Sequence, residues 1–227
     1  MKIKLFAKLF LVLFLFAAVT SNADDKWKER PFLNQIKMEK LKESRKGNLV
    51  SLSIDILGGL GISNTSFEVT KVDSTTSNLS STSSKIGPTF GANLSVNFFG
   101  MGFTTGFNYS SKGFETSNGT KQGLNYFNIP LLFYFNFEAD KVRVDGNLGP
   151  YFGLLVSQDN SPAYSAKNFD FGLTGSIQGT YMFTKILGAL LGLKYEYGGL
   201  NNLGNNEKIK SIRTSTFNIY TGLKIDI

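Results

Sequence analysis

From Val50 to Ile227 apolar and polar residues alternate with a period of two, in about eight segments of ten or so residues separated by turn-like clusters. In the first segment Val50, Leu52, Ile54, Ile56, Leu60 and Ile62 share one face, and Ser51, Ser53, Asp55, Gly59 and Gly61 share the other, with Leu57 as an exception. The fourth sets Phe127, Ile129, Leu131, Phe133 and Phe135 against Tyr126, Asn128, Pro130 and Tyr134. In the fifth, Val142, Val144, Leu148, Phe152 and Leu154 oppose Arg143, Asp145, Asn147, Tyr151 and Gly153. The seventh and eighth repeat the pattern around Lys194, Glu196, Lys224 and Asp226, with Leu190 a second apolar intruder on the polar side. No helical period interrupts this region, so the pattern predicts an all-β domain of antiparallel strands.

Alternation alone does not say which face points outward, because a soluble barrel with an oily interior shows the same period. Two features favour a transmembrane barrel. The polar face carries Asp55, Arg143, Asp145, Asp170, Lys194, Glu196, Lys224 and Asp226 among many glycines, as a narrow lumen filled by small and mutually paired side chains requires. The apolar face is continuous, and its aromatic residues gather at segment ends. Tyr109, Phe127, Phe169 and Tyr197 fall at one rim, and Phe98, Phe103, Phe135, Phe137 and Tyr181 at the other, in the manner of two interfacial girdles.

The connections add an independent regularity. Residues 63–88, 111–124, 157–168 and 198–210 read as long connections, and 99–102, 138–141 and 182–186 as short ones. Outer-membrane barrels have long loops outside and short turns in the periplasm. The expectation is therefore an eight-stranded antiparallel up-and-down transmembrane β-barrel over residues 50–227 with both termini periplasmic. A soluble periplasmic lipid-binding barrel, with its apolar face inward, is the alternative from another class.

The N-terminal residues set the compartment. Lys2, Lys4 and Lys8 precede an apolar run from Leu9 to Val19 and the small-residue pair Ser21 and Ala23, which is the layout of a secretory signal peptide over residues 1–23. The run is too short for a helical span, and no later stretch reaches the apolar length that one needs. Residues 24–49 hold eight Lys/Arg against five Asp/Glu and read as a charged periplasmic segment, with a short helix expected to start near Pro31. Once these leave the count, the net charge of +7 shrinks to 13 basic against 12 acidic residues in 50–227, which gives no basic surface for nucleic acid. The chain has no cysteine and no histidine. That removes disulfides, the common zinc sites and nucleophile–histidine catalysis, so no catalytic, metal or cofactor-binding set is expected.

Several stretches resemble the PorT-like outer-membrane β-barrel family of the Bacteroidetes. They are Gly58-Gly59-Leu60-Gly61-Ile62-Ser63, Leu124-Asn125-Tyr126-Phe127-Asn128-Ile129-Pro130-Leu131-Leu132, Gly149-Pro150-Tyr151-Phe152-Gly153, Phe169-Asp170-Phe171-Gly172 and Leu193-Lys194-Tyr195-Glu196-Tyr197-Gly198. The resemblance implies an eight-stranded barrel in the bacterial outer membrane, and one branch of the family is associated with a secretion system. The expected partners are outer-membrane lipid, the barrel-insertion machinery and, through the resemblance, secretion-system components. Three non-enzymatic roles remain open on the residues: a structural or secretion-accessory barrel, a surface adhesin using long loops, and a narrow solute channel. The inward charges are read as structural pairs, Arg143 with Asp145 and Lys194 with Glu196, because a buried charge is costly unless partnered.

Overall fold

The computed structural model describes residues 50–69, 82–116, 119–159, 166–204 and 209–227. The expected signal peptide, the charged segment 24–49 and residues 70–81 of the expected connection 63–88 lie outside the described residues. The rest forms eight strands: β1 (Val50–Val69), β2 (Thr82–Phe98), β3 (Met101–Thr116), β4 (Lys121–Ala139), β5 (Val142–Gln158), β6 (Phe169–Met182), β7 (Leu187–Gly198) and β8 (Ile209–Asp226). Each strand is antiparallel to the next, and β1 pairs with β8, placing Asp55 opposite Lys224. The ring is closed, so no strand offers an unpaired edge.

The apolar face points outward. Leu60, Phe107, Leu131, Leu148, Leu191 and Leu223 are all exposed, while Ser53, Asp55, Thr104, Asn128, Asp145, Gln178 and Lys224 are buried in the lumen. The alternative with an oily interior is therefore overturned.

Turns at the end where β1 begins and β8 finishes are tight. Phe99 and Gly100 join β2 to β3 with φ of 56° and 89°, both in the left-handed region that primed hairpin turns require. The Gly100 N–H donates to Asn97 Oδ1 at 2.9 Å, holding the turn shut.

The strands are longer at the loop end than the alternation predicts. The expected connection 63–88 is strand as far as Val69 and again from Thr82, and the expected connection 111–124 narrows to residues 117–120. The expected strict succession of long and short connections thus fails at the third position. The physical reason is a reversal of polarity along the same strands. Beyond Ile62, Tyr109, Phe127 and Phe217 the outward positions turn polar (Ser66, Glu68, Asn125, Arg213) and the inward positions turn apolar. Phe114, Leu124, Tyr126, Ala166, Leu203, Ile209 and Ile212 form a buried cluster there, with Phe67 and Leu155 packed against it. Phe67 meets Phe114 edge-on at 4.8 Å. Below this level the sheet has an apolar outside and a polar inside, and above it the arrangement is that of a water-soluble barrel.

The two apolar intruders of the polar face find each other. Leu57 and Leu190 pack with Tyr220 in a second buried cluster inside the lumen. Gly192 makes room for it, since a methyl group at that position would land on the Tyr220 ring. Replacing Leu190 with Ala is expected to leave a void in this layer and to cost about 2–5 kcal/mol, read as a lowered midpoint in equilibrium denaturant unfolding.

Candidate functional site: the charged layers of the lumen

An eight-stranded barrel encloses a space that side chains can fill, and a charge placed there must find its counter-charge at close range. The lumen meets this condition with two separate ionic layers. Nearer the termini, Lys224 Nζ lies 2.9 Å from Asp55 Oδ1 and 3.2 Å from Asp145 Oδ2. Gln178 Nε2 donates to both carboxylates, at 2.9 and 3.0 Å, and the Tyr134 hydroxyl donates to Asp145 at 2.9 Å. Tyr220 in turn donates to Gln178 Oε1 at 3.1 Å, joining this layer to the apolar one. Six side chains from β1, β4, β5, β6 and β8 are thereby cross-linked across the barrel.

Nearer the loops, Lys112 Nζ lies 2.9 Å from Asp170 and 3.7 Å from Glu196, and donates to the Tyr151 hydroxyl at 2.7 Å. Tyr151 donates to Asp170 at 2.9 Å, and the Gly199 N–H donates to the other carboxylate oxygen at 2.8 Å. Lys194 bonds Glu196 at 2.8 Å, while Ser110 and Asn128 donate to its second oxygen at 3.1 and 3.2 Å. The Lys112 ammonium also sits 4.5 Å from the centre of the Tyr151 ring, a cation–π contact. The apolar cluster of the loop end closes over this layer.

All eight charged residues expected on the inner face take part in ion pairs, but not all in the expected pairs. Lys194 bonds Glu196. Arg143 does not join Asp145; it grips Asp226 through two bonds of 3.0 and 2.9 Å and reaches Glu138 at 3.2 Å, at the terminal mouth. In so narrow a ring a long side chain reaches across to another strand, and Lys224 takes Asp145.

Lys112 is the largest omission. The run Ser111-Lys112-Gly113 reads as the beginning of the expected connection 111–124, yet continuing the alternation from Tyr109 puts Lys112 and Phe114 on the inner face. Tyr134, Tyr151 and Gln178 carry no charge and so fall outside the expected charged set, yet each donates to a carboxylate from another strand.

Between the layers lies a cavity of about 20 Å³, lined by residues that include Asn108, Asn128, Asn147, Thr174 and Lys194. Each of the three amides donates its N–H to a neighbour, which fixes its orientation and leaves its oxygen without a protein partner, as is Thr174 Oγ1. Such a space admits one or two waters and nothing larger. Among the described residues no three His, Cys, Asp or Glu gather as a metal site.

The nine aromatic residues expected at the rims lie on the outward face. At the loop-end edge of the apolar band Phe90 stacks on Tyr109 at 4.7 Å and Tyr109 meets Phe127 at 5.7 Å, a ladder across three strands. Phe169 is exposed and Tyr197 partly so on β6 and β7. Toward the termini Phe98, Phe103, Phe135, Phe137 and Tyr181 are all exposed, with Tyr181 packed on Phe183 at 5.6 Å.

Removing Lys224 leaves two carboxylates facing each other without a cation. Lys224→Met is expected to lower stability by about 3–5 kcal/mol, and adding Asp55→Asn and Asp145→Asn should recover a large part of it. Denaturant midpoints of the two variants check this.

Comparison with known proteins agrees with this geometry. The family model described as outer membrane protein beta-barrel domain matches residues 42–205, well over half of the chain. No curated protein matches the sequence. Among solved structures, the outer membrane protein OprG from Pseudomonas aeruginosa aligns at 12% identity over 80% of this chain and 98% of its own, with a TM-score of 0.53. Neisserial surface protein A aligns at 12% identity over 78% of this chain and 97% of its own, with a TM-score of 0.46. The attachment invasion locus protein Ail of Yersinia pestis gives 16% identity over 77% and 99%, with a TM-score of 0.42. At such identities the OprG likeness speaks for the fold alone. With a closed ring of eight strands, an apolar outer wall and a family match across most of the barrel, the chain belongs to the outer membrane protein beta-barrel domain family and is an integral outer-membrane protein.

Proposed function

We propose that this barrel is a non-conducting, non-enzymatic outer-membrane component with a structural or secretion-accessory role of the PorT-like kind, its loops outside the cell and its termini in the periplasm. The observation that carries this reading is the filled lumen: two ionic layers, an apolar layer at Leu57, Leu190 and Tyr220, and an apolar plug at the loop end leave room for water only. A solute path would have to break several buried ion pairs at once. Catalysis has as little support. Asp55, Asp145, Asp170 and Glu196 are each held by an ammonium, and none faces a second acid across an open cleft of the kind that hydrolysis of glycosides uses.

What remains available for partners is the outside of the polar-walled collar, the strand segments beyond Ile62, Tyr109, Phe127 and Phe217, and the loops it carries. The collar itself favours a second reading, an adhesin: strands that run on past the apolar band raise a rigid platform with polar walls. Deletion of the gene separates the two, since an accessory role predicts retained secreted cargo and an adhesin predicts lost attachment with secretion intact.

Two measurements test the rest. Purified protein in planar bilayers is expected to show no steady unitary conductance, and a stable open channel would end the proposal. Leu191→Arg, in the middle of the apolar band, should cost about 2–4 kcal/mol of stability in lipid vesicles, whereas Ser157→Arg, on the polar outer wall, should cost about 1 kcal/mol or less.

A further inference from the structure

Just above the apolar band, where β7, β8 and β1 adjoin, the outer wall carries an unusual concentration of donors. Ser66 on β1 lies opposite Arg213 on β8, and Ser215 lies between Asn64 of β1 and Tyr197 of β7. One outward-facing position nearer the termini than Asn64, Ser215 and Tyr197, and two nearer than Ser66 and Arg213, the same strands present Ile62, Phe217 and Tyr195, all exposed and mutually paired in register. The Ser215 and Tyr197 hydroxyls thus adjoin an acyl-compatible surface, with Ser66 and Arg213 four residues, about 13 Å at the rise of a strand, beyond its edge.

The orientation of Arg213 is the telling feature. Among the described residues, the nearby carboxylate of Glu68 is already engaged by Lys210 at 2.6 Å and by Ser211 at 3.2 Å. The hydrogen bond and charge of Lys210, with a smaller contribution from the charge of Arg213, lower the Glu68 carboxyl from its ordinary value. Arg213 makes no ion pair among the described residues. Its guanidinium instead leans toward the band and donates to the Tyr197 hydroxyl at 3.3 Å. A guanidinium has five donors in a planar fork suited to phosphate, and this one spends a single long bond on the protein.

We propose that Arg213, Tyr197, Ser66 and Ser215 form a binding site for the phosphorylated sugar headgroup of lipid A, whose acyl chains would lie along Ile62, Tyr195 and Phe217. The choice of a glycolipid over a phospholipid follows from the mixture: one fork for a phosphate and three hydroxyls for the sugar oxygens beside it. The site rests on the loop-outward orientation proposed above, because only that orientation places this edge in the outer leaflet. Lys121 is the contrasting cation. It stands six residues beyond Phe127 along β4, about 20 Å past the band at the rise of a strand, and is too far from the acyl region to share one lipid molecule with it.

The test uses the full-length mature protein in non-ionic detergent, with native mass spectrometry reading bound lipid after addition of bisphosphorylated lipid A, the same lipid A without phosphates, or phosphatidylglycerol. Wild type and Lys121→Gln are expected to retain bisphosphorylated lipid A equally. Arg213→Gln should weaken retention by about tenfold or more, the loss expected for charge-assisted hydrogen bonds, with heat-modifiable gel migration showing that its barrel is intact. The phosphate-free lipid should be retained as weakly by wild type as the phosphorylated one is by Arg213→Gln. Equal retention by Arg213→Gln and wild type overturns the site, and so does equal binding of phosphatidylglycerol or of phosphate-free lipid A. Protease accessibility of the loops on intact cells reports the orientation separately, so a failure of that premise is distinguishable from a failure of binding in detergent.

Discussion

A backbone inside a hydrocarbon layer has no water to bond to, so every N–H and C=O within that layer must be answered by the protein itself. For strands the only complete answer is a ring, and the pairing of β1 with β8 from Ser53 opposite Asp226 to Val69 opposite Ile209 supplies it. Once the ring is closed with eight strands, its bore is set, and with it the rule that everything pointing inward must fit and be paired. The outward face is left to the acyl chains, which ask only for apolar surface.

The lumen follows from that confinement. Its ionic layers differ in build: Lys224 stands between two carboxylates with Gln178 bridging them, whereas Lys112 and Lys194 share Glu196 and Asp170 with two hydroxyls and an amide. In both, long side chains reach across the bore to strands far away in sequence, so each layer acts as a transverse tie. Glycines facing the lumen serve the same packing, Gly192 beneath Tyr220 and Gly172 beneath Tyr151, where a methyl group would collide with a ring.

The polarity reversal near Ile62 and Phe217 marks where the surrounding medium changes from lipid to water. Below it the outside is apolar; above it the strands continue as a small water-facing barrel with its own hydrophobic filling of Phe114, Leu124, Tyr126 and Ile212. That filling shuts the loop-end mouth and gives the collar a stability of its own. Arg213 and Tyr197 stand at the seam between the two regimes, where a lipid headgroup and a hydrophilic wall come into contact.

Period-two alternation in the sequence was enough to determine the strand class and to put Asp55, Arg143, Asp145, Asp170, Lys194, Glu196, Lys224 and Asp226 on one face, because side-chain direction in a strand is a purely local consequence of the pleat, and the charges on that face together with the aromatic residues at the segment ends of the other pointed the apolar face outward. It was blind where the meaning of the alternation inverts: Phe67, Lys112, Phe114 and Leu124 look like irregular loop residues until the strands are seen to leave the apolar band. The partners of the charges were also undecided. Arg143 takes Asp226 and Glu138, and Asp145 takes Lys224, since which groups meet across the bore depends on strand register and shear around the whole ring. Those distances exist only once the barrel is closed, and the tertiary structure alone sets them.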